Sequence, residues 1–273
     1  MKGVVVKEVG KLAVVDDIPI PEPGDYDALV KVVACGICNG TDLQYIDGTE
    51  KVTLGDYPTV LGHESAGEVV AVGPKVRYIQ KGDYFIHTNL REDTGSRYTK
   101  THGSMAQYGL VPDVRAILED GYSIEDMPKV TGYGTRVYTY QDGPEVNGRL
   151  GNDMNLVDAG VFQSLAESLS AVQNFGVKSG DHVLVYGSGP MGIAVTLFSK
   201  LMGAEQVTAI DCVPDRLERA ARIGRADRVI NFKEQDVDEV LHGELFDVVI
   251  DAVGSSRILI EGSHRCKCNG VMG

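Results

Sequence analysis

The run His182-Val183-Leu184-Val185-Tyr186, followed at once by Gly187-Ser188-Gly189-Pro190-Met191-Gly192 and a further apolar stretch, constrains the fold of this chain more than any other segment. A short continuous apolar run that stops at a glycine turn and resumes at helical spacing reads as a buried parallel strand feeding a helix, here over 191–202. In Gly187-x-Gly189-x-x-Gly192 the first glycine permits the tight turn and the second clears the backbone for a pyrophosphate. The third lets the helix pack on its strand, and phosphate charge then faces the helix N-terminus. With 33 glycines in the chain a chance match is easy, so context carries the weight. A second strand over 207–210 ends at Asp211, whose carboxylate can accept from both hydroxyls of an adenosine ribose and would repel a 2′-phosphate. This favours NAD over NADP, with Arg216 on the next helix as the group that could receive a 2′-phosphate instead. A helix over 216–223 and strands over 228–231 and 246–252 complete a βαβ succession, the pattern of a doubly wound parallel sheet.

The first half is different. Short β-branched runs at 3–6, 12–15, 28–34, 67–72 and 84–87 alternate with Gly and Pro, which is all-β patterning. From about residue 155 the period changes, with apolar residues at helical spacing over 164–175, so we expect two domains, 1–153 and 154–273. The polar run 88–101 reads as an exposed loop or lobe, and 138–155 as a segment crossing the surface between the domains. Cys266 and Cys268 read as incidental thiols on a helix.

A chain of 273 residues with 43% hydrophobic content can bury a sizeable core. Its formal charge of −13 leaves no basic surplus to neutralise phosphates, which argues against a nucleic-acid partner. Met1-Lys2-Gly3-Val4 runs straight into a strand pattern without a cleavable apolar region, so a cytoplasmic protein is expected. The longest apolar region, 183–201, is broken by Gly187, Ser188, Gly189, Pro190 and Gly192, which argues against a membrane span. Five cysteines, an odd set, make a disulfide framework improbable and leave free thiols or metal ligands. Cys35-Gly36-Ile37-Cys38 lacks the βαβ context of a thioredoxin-like redox pair.

Gly62-His63-Glu64-Ser65-Ala66-Gly67, with Gly73 and Val76 behind it and Cys38 ahead of it, has the composition of a metal site. Thiolate, imidazole and carboxylate bind Zn²⁺ well, and a catalytic site needs three such ligands and one open position. His87, His102, His182, His242 and His264 read first as structural histidines, whereas His63 sits among glycines where backbone passes close.

Taken together, the 35–38 segment, the pattern from Gly62 to Val76 and the Gly187 turn resemble the zinc-containing medium-chain alcohol dehydrogenase family, and within it the polyol and threonine dehydrogenase branch, over essentially the whole chain. The resemblance implies an α/β protein: a GroES-like, mostly-β catalytic domain followed by a Rossmann domain. It implies hydride transfer between NAD and a secondary alcohol, polyol or amino alcohol, with the ketone as the other partner, and homo-oligomers as in full-length relatives. Matched residue by residue, Cys38 and His63 are zinc ligands. The third ligand is Glu64 or Glu167. Glu167-Ser168-Leu169-Ser170 resembles the Glu-Pro-Leu-Ser run of polyol dehydrogenases with Ser168 in place of proline, and Glu64 alternatively orients the site from behind. Thr41 matches the hydroxyl that passes the alcohol proton outward, although Cys38-Asn39-Gly40-Thr41-Asp42 carries one extra residue. Gln44 stands where a histidine often completes the relay, so the proton would leave through cofactor ribose or water. The cysteine-free 88–101 implies one catalytic zinc and no structural zinc. Gly270-Val271-Met272-Gly273 resembles the fifth strand of the nucleotide fold, implying a Rossmann domain incomplete at its C-terminus. The rival readings are a zinc-free reductase of the quinone type, against which Cys38 and His63 both stand, and a nucleotide-binding protein without catalysis.

Overall fold

In the computed structural model, which describes residues 1–49, 56–132 and 149–273, contacts divide the chain into two units, Met1–Gln163 and Ser164–Gly273. The first unit holds two sheets. One runs β2 (Lys11–Val15), β1 (Gly3–Glu8), β4 (Thr59–Val60), β7 (Thr99–Lys100). The other runs β8 (Tyr108–Pro112), β3 (Asp27–Gly36), β5 (Glu64–Val72), β6 (Tyr84–Ile86), β9 (Arg149–Leu150). Alternating side chains of β3 and β5 bury Ala28, Val30 and Val69 with Ile79, Phe85 and Val111, while Val5 and Val60 pack with Ile18, Leu90, Tyr98 and Ala106 under the first sheet. Each fully buried valine of this kind contributes about 1.5–3 kcal/mol over leaving it in water.

The β3–β5 ladder is the element that positions chemistry. It is antiparallel and runs from Ala28↔Val72 to Gly36↔Glu64, with two register shifts on the way. The helix α1 (Thr41–Asp47) then turns back, seated by Tyr45 against Val6 and Leu61. Two further short helices, α2 (Val114–Glu119) and α3 (Met127–Thr131), pack Ala116, Ile117 and Met127 with Tyr26.

Two expectations for this half are modified. Only the middle of 88–101 is exposed, since Thr88, Asn89, Leu90, Tyr98, Lys100 and Thr101 are buried and Thr99–Lys100 is a strand beside β4. Of 138–155, residues 138–148 lie outside the described residues, while Arg149 pairs with Phe85 and places its guanidinium 2.6 Å from the buried carboxylate of Asp83. That pairing makes a strand where a surface crossing was expected. The 3₁₀ turn Asp158–Val161 packs on β3 and β5 within the first unit.

The second unit begins within α4 (Phe162–Asn174) and is a five-stranded parallel sheet in the order β12 (Arg228–Asn231), β11 (Gln206–Asp211), β10 (His182–Tyr186), β13 (Phe246–Asp251), β14 (Cys266–Met272). The connecting helices are α5 (Pro190–Leu201), α6 (Pro214–Arg222), α7 (Val237–Leu241) and α8 (Ser256–Ser263). Both faces are covered: Val183 and Val185 of β10 belong to one apolar cluster and Leu184 and Tyr186 to another. That is why β10 reads as an unbroken apolar run rather than an alternation. Cys266 and Cys268 lie on β14, not on a helix. The chain leaves α8 at Ser263 and the carbonyl of Arg265 accepts from the N–H of Phe246, which draws the cysteines into the ladder beside β13.

Gly192 is the tightest point of this unit. A Cβ there would stand 1.9 Å from the carbonyl oxygen of Gly187, a backbone atom that cannot rotate away. Gly192→Ala is therefore expected to destabilise the protein by about 1–3 kcal/mol through forced displacement of α5 from β10. The shift is read from the midpoint of chemical denaturation, and an unchanged midpoint would show that the turn has slack.

Candidate active site

The site in the first unit grows from the end of the β3–β5 ladder. Cys35 pairs with Ser65 and Gly36 with Glu64, so the chain leaving β3 passes beside Glu64 before it turns at Cys38. On the other side, β4 leads through Leu61 and Gly62 to His63. Leu61 donates to the Val4 carbonyl, and the Leu61 and Gly62 carbonyls accept from Met105 and Ser104, so this link is pinned at each residue. The outcome is that one ligand atom from each of Cys38, His63 and Glu64 lies within 4.8 Å of the others. Among the described residues this is the one group of three or more His, Cys, Asp or Glu side chains spaced to hold a metal. His63 is 6% exposed and Glu64 8%, and Cys38 is half-buried. A thiolate, an imidazole and a carboxylate that converge in a largely dry pocket fit Zn²⁺.

Asp42 was given no role from the sequence, and the structure places it at the centre. It is 1% exposed, its Oδ2 accepts from the Cys38 N–H at 2.9 Å, and its Oδ1 lies 3.6 Å from His63 Nδ1. The first contact is a hydrogen bond and the second an ion-pair distance. A buried carboxylate behind a ligand imidazole fixes ring orientation and raises its basicity. The signal was its position four residues after Cys38, which the first turn of α1 converts into proximity.

The charges follow from these neighbours. Burial pushes the His63 imidazolium down, but Asp42 and the Cys38 sulfur more than offset it and hold the pKa up at about 10. Cys38 is lowered from the usual thiol value, chiefly by its hydrogen bond with His63, against burial and with help from Thr41 and the Gly40 backbone. Thr41 also donates its N–H to the sulfur at 3.4 Å. Cys35, three residues earlier and on the strand, is pushed up to about 12 by burial, with the charge of Asp42 adding to it.

Two more histidines stand beside the site. The His102 ring lies 5.7 Å from that of His63 and 5.4 Å from that of His87, and His87 Nδ1 donates to Gln163 Oε1 at 2.8 Å. Sequence reading treated both as structural residues and passed over Gln163, since no short-range spacing connects them to His63. Glu167 lies in the second unit, exposed on α4. Gln44 is exposed on α1, and its carbonyl accepts from Gly48 and Thr49.

In the second unit the glycine turn has the form its spacing implies. Gly187 has φ 91°, Gly192 touches Gly187, and a Cβ on Gly189 would meet nothing within 4 Å. The backbone at Gly189 is thus open to a ligand, at the cap of the twelve-residue α5 with Pro190 in its first turn and Met191 next. A cradle of this kind fits a dinucleotide pyrophosphate. Asp211 is buried, with Oδ2 accepting from Ser188 N–H at 2.7 Å and Oδ1 from Cys212 and Val213 at 2.7 and 2.9 Å. It ties the end of β11 to the glycine turn. Arg216 is exposed on α6.

The opposed shifts of the two nearby thiols predict a reactivity order. In metal-free protein at pH 7.5, iodoacetamide should modify Cys38 well before Cys35, because the thiolate is the nucleophile and the Cys38 thiol is lowered by His63 while the Cys35 thiol is pushed up by burial. Peptide mass spectrometry over time reads the order, and added Zn²⁺ should slow the Cys38 reaction. Equal rates at the two positions would contradict the assigned environments.

Comparison with known proteins finds matches in both units. The family model for the alcohol dehydrogenase GroES-like domain matches residues 24–119, and the model for zinc-binding dehydrogenase matches 190–272. Sorbitol dehydrogenases of Ovis aries and Bos taurus are each 29% identical over 267 residues, an overlap of 94% of this chain and 70% of theirs. Among solved structures, the alcohol dehydrogenase TADH of Thermus sp. ATN1 is 25% identical with a TM-score of 0.70, covering 100% of this chain and 76% of that one. A protein from Sinorhizobium meliloti 1021 assigned as a zinc-binding dehydrogenase and crystallised with NADP is 25% identical with a TM-score of 0.76, covering 99% of this chain and 75% of that one. The alcohol dehydrogenase GroES-like match in the first unit and the zinc-binding dehydrogenase match in the second, together spanning most of the chain, place it in the zinc-containing medium-chain alcohol dehydrogenase family.

Proposed function

We propose that this protein is a zinc-requiring dehydrogenase that passes hydride between NAD and a secondary alcohol, polyol or amino alcohol. The observation that carries the reading is the convergence of Cys38, His63 and Glu64 donors within 4.8 Å of one another. When bound, zinc supplies Lewis acidity toward an alcohol oxygen and the nicotinamide supplies the hydride acceptor. Cys38, His63 and Glu64 hold the metal in this reading. Glu64 rather than Glu167 is the carboxylate ligand, because it is the one gathered with the other two in the first unit.

The remaining roles belong to residues around these. Asp42 holds the Cys38 loop by its backbone and the His63 ring by charge, so the donors stay aligned as substrate enters. Thr41, at the start of α1 and in contact with the Cys38 sulfur, takes the alcohol proton through its hydroxyl. Gln44 cannot titrate, so the proton continues through ribose or water rather than a side-chain base. In the second unit Gly187, Gly189, Pro190, Met191 and Gly192 receive the pyrophosphate at the N-terminus of α5. Asp211 receives the adenosine ribose and disfavours a 2′-phosphate, which supports NAD over NADP. The NADP seen with the S. meliloti relative makes Arg216 the residue to watch. Sorbitol, the substrate in the name of the curated relatives, is a fitting first compound for a screen.

The test is alcohol-dependent NADH formation by the zinc-loaded full chain, with Cys38→Ser alongside. Loss of a ligand should lower kcat/KM by more than about 100-fold, the upper end of what outer-shell partners alone contribute. NAD⁺ should give the higher kcat/KM, and Asp211→Ala should narrow its lead over NADP⁺. Full activity in Cys38→Ser would favour the zinc-free reductase reading, and bound zinc and cofactor without turnover would favour a non-catalytic protein.

A further inference from the structure

Two imidazoles adjoin the donor group in succession, His102 against the His63 ring and His87 against His102. His63, His102 and His87 form a stack with ring centroids 5.7 and 5.4 Å apart and ring planes crossing at 54° and 60°. Tilted and edge-to-face pairs at such separations are attractive beyond their burial, because the positive edge of one ring meets the negative face of the next. Asp42 touches the His63 ring at Nδ1, so His102 meets a ring already held on one side. The far end of the stack is fixed as well: His87 donates from Nδ1 to Gln163 Oε1 at 2.8 Å, which sets its ring plane. Gln163 belongs to the same unit as the three histidines.

The backbone that carries the stack is stitched independently of the rings. His87 N–H donates to the Ser65 carbonyl, Leu90 N–H to the His102 carbonyl and Ser104 N–H to the Gly62 carbonyl. Thr88 N–H donates to Ser65 Oγ, whose hydroxyl also meets Thr88 Oγ1 at 2.9 Å, and Ser104 Oγ donates to the Thr88 carbonyl. Ser65, Thr88 and Ser104 are all at or below 1% exposure, so these bonds are shielded from water. The segments around residues 63, 87 and 102 therefore cannot shift separately. His87 itself sits at φ 62°, a left-handed conformation that a residue with a Cβ adopts at an energetic cost and retains where surroundings over-determine it.

We infer that His102 is a positioning residue for the metal centre: its ring, buttressed by His87 and Gln163, sets the plane of the His63 imidazole. This rests on the zinc reading of Cys38, His63 and Glu64. The role belongs to the ring as a packing surface, so a phenyl ring can replace it and a methyl group cannot.

The experiment titrates the metal-free 273-residue protein with Co²⁺ alone and with Zn²⁺ against a competing chelator, for the wild type, His102→Ala, His102→Phe and Gln163→Leu. Co²⁺ absorption in the visible reports ligand geometry directly, which a loss of general stability does not imitate. His102→Ala should weaken Zn²⁺ binding by about 10–100-fold, as for other groups that orient a ligand histidine, and shift the Co²⁺ bands. His102→Phe should stay within about threefold with wild-type bands, and Gln163→Leu should fall between the two. Wild-type affinity and bands in His102→Ala would overturn the inference, as would His102→Phe behaving like His102→Ala. If His102→Ala does not fold, the His102→Phe and Gln163→Leu spectra decide. A wild-type chain that takes up neither metal would overturn the zinc reading and this inference together, whereas a metal-binding wild type with unresponsive variants overturns this inference alone.

Discussion

The register of β3 against β5 is the constraint on which the rest of the first unit depends. A ladder that ends with Gly36 opposite Glu64 delivers the thiol-bearing loop and the histidine-bearing strand entry to the same point. Side-chain direction in a strand has a period of two, so a slip by one residue would turn Glu64 away from Cys38 and send the alternate, water-facing set inward. The buried valines of the same ladder oppose that slip, and so the apolar core that stabilises the fold also specifies the donor set. Of the two register shifts in the ladder, the one between Val32 and Ala34 sits just before the end that carries Cys35 and Gly36, where a bulge can re-aim a side chain.

Burying Cys38, Asp42, His63 and Glu64 together is expensive unless charges compensate. In the metal-free protein the compensation is internal, with a thiolate-prone Cys38 and the carboxylate of Asp42 facing an imidazolium held up at about 10. Such an arrangement is a poor source of stability, and binding of a divalent cation at these donors would release protons from them. The second unit follows a comparable logic with less charge. Asp211 satisfies three backbone N–H groups at the strand end and glycine turn, which keeps the turn open at Gly189.

The nucleotide half was legible because its signals are local. Strand, glycine turn and helix are contiguous there, and the close approach of Gly192 to Gly187 leaves a spacing in the sequence. Cys38, His63 and Glu64 were also readable, since glycines and residue types mark them. Asp42 was within reach but unread, because its link to His63 crosses from α1 to the segment between β4 and β5. Gln163, His87 and His102 were not legible at all: their meeting depends on backbone hydrogen bonds between segments far apart in sequence, which no periodicity records. The β14 cysteines were misread for the same reason, as pairing with β13 rather than local pattern makes that segment a strand.

X-ray absorption at the zinc edge of the reconstituted protein addresses the central claim most directly. The account predicts one zinc per chain with a single sulfur neighbour near ~2.3 Å and the remaining neighbours nitrogen or oxygen at ~2.0–2.2 Å. A first shell without sulfur, or a folded chain that retains no zinc, would contradict it.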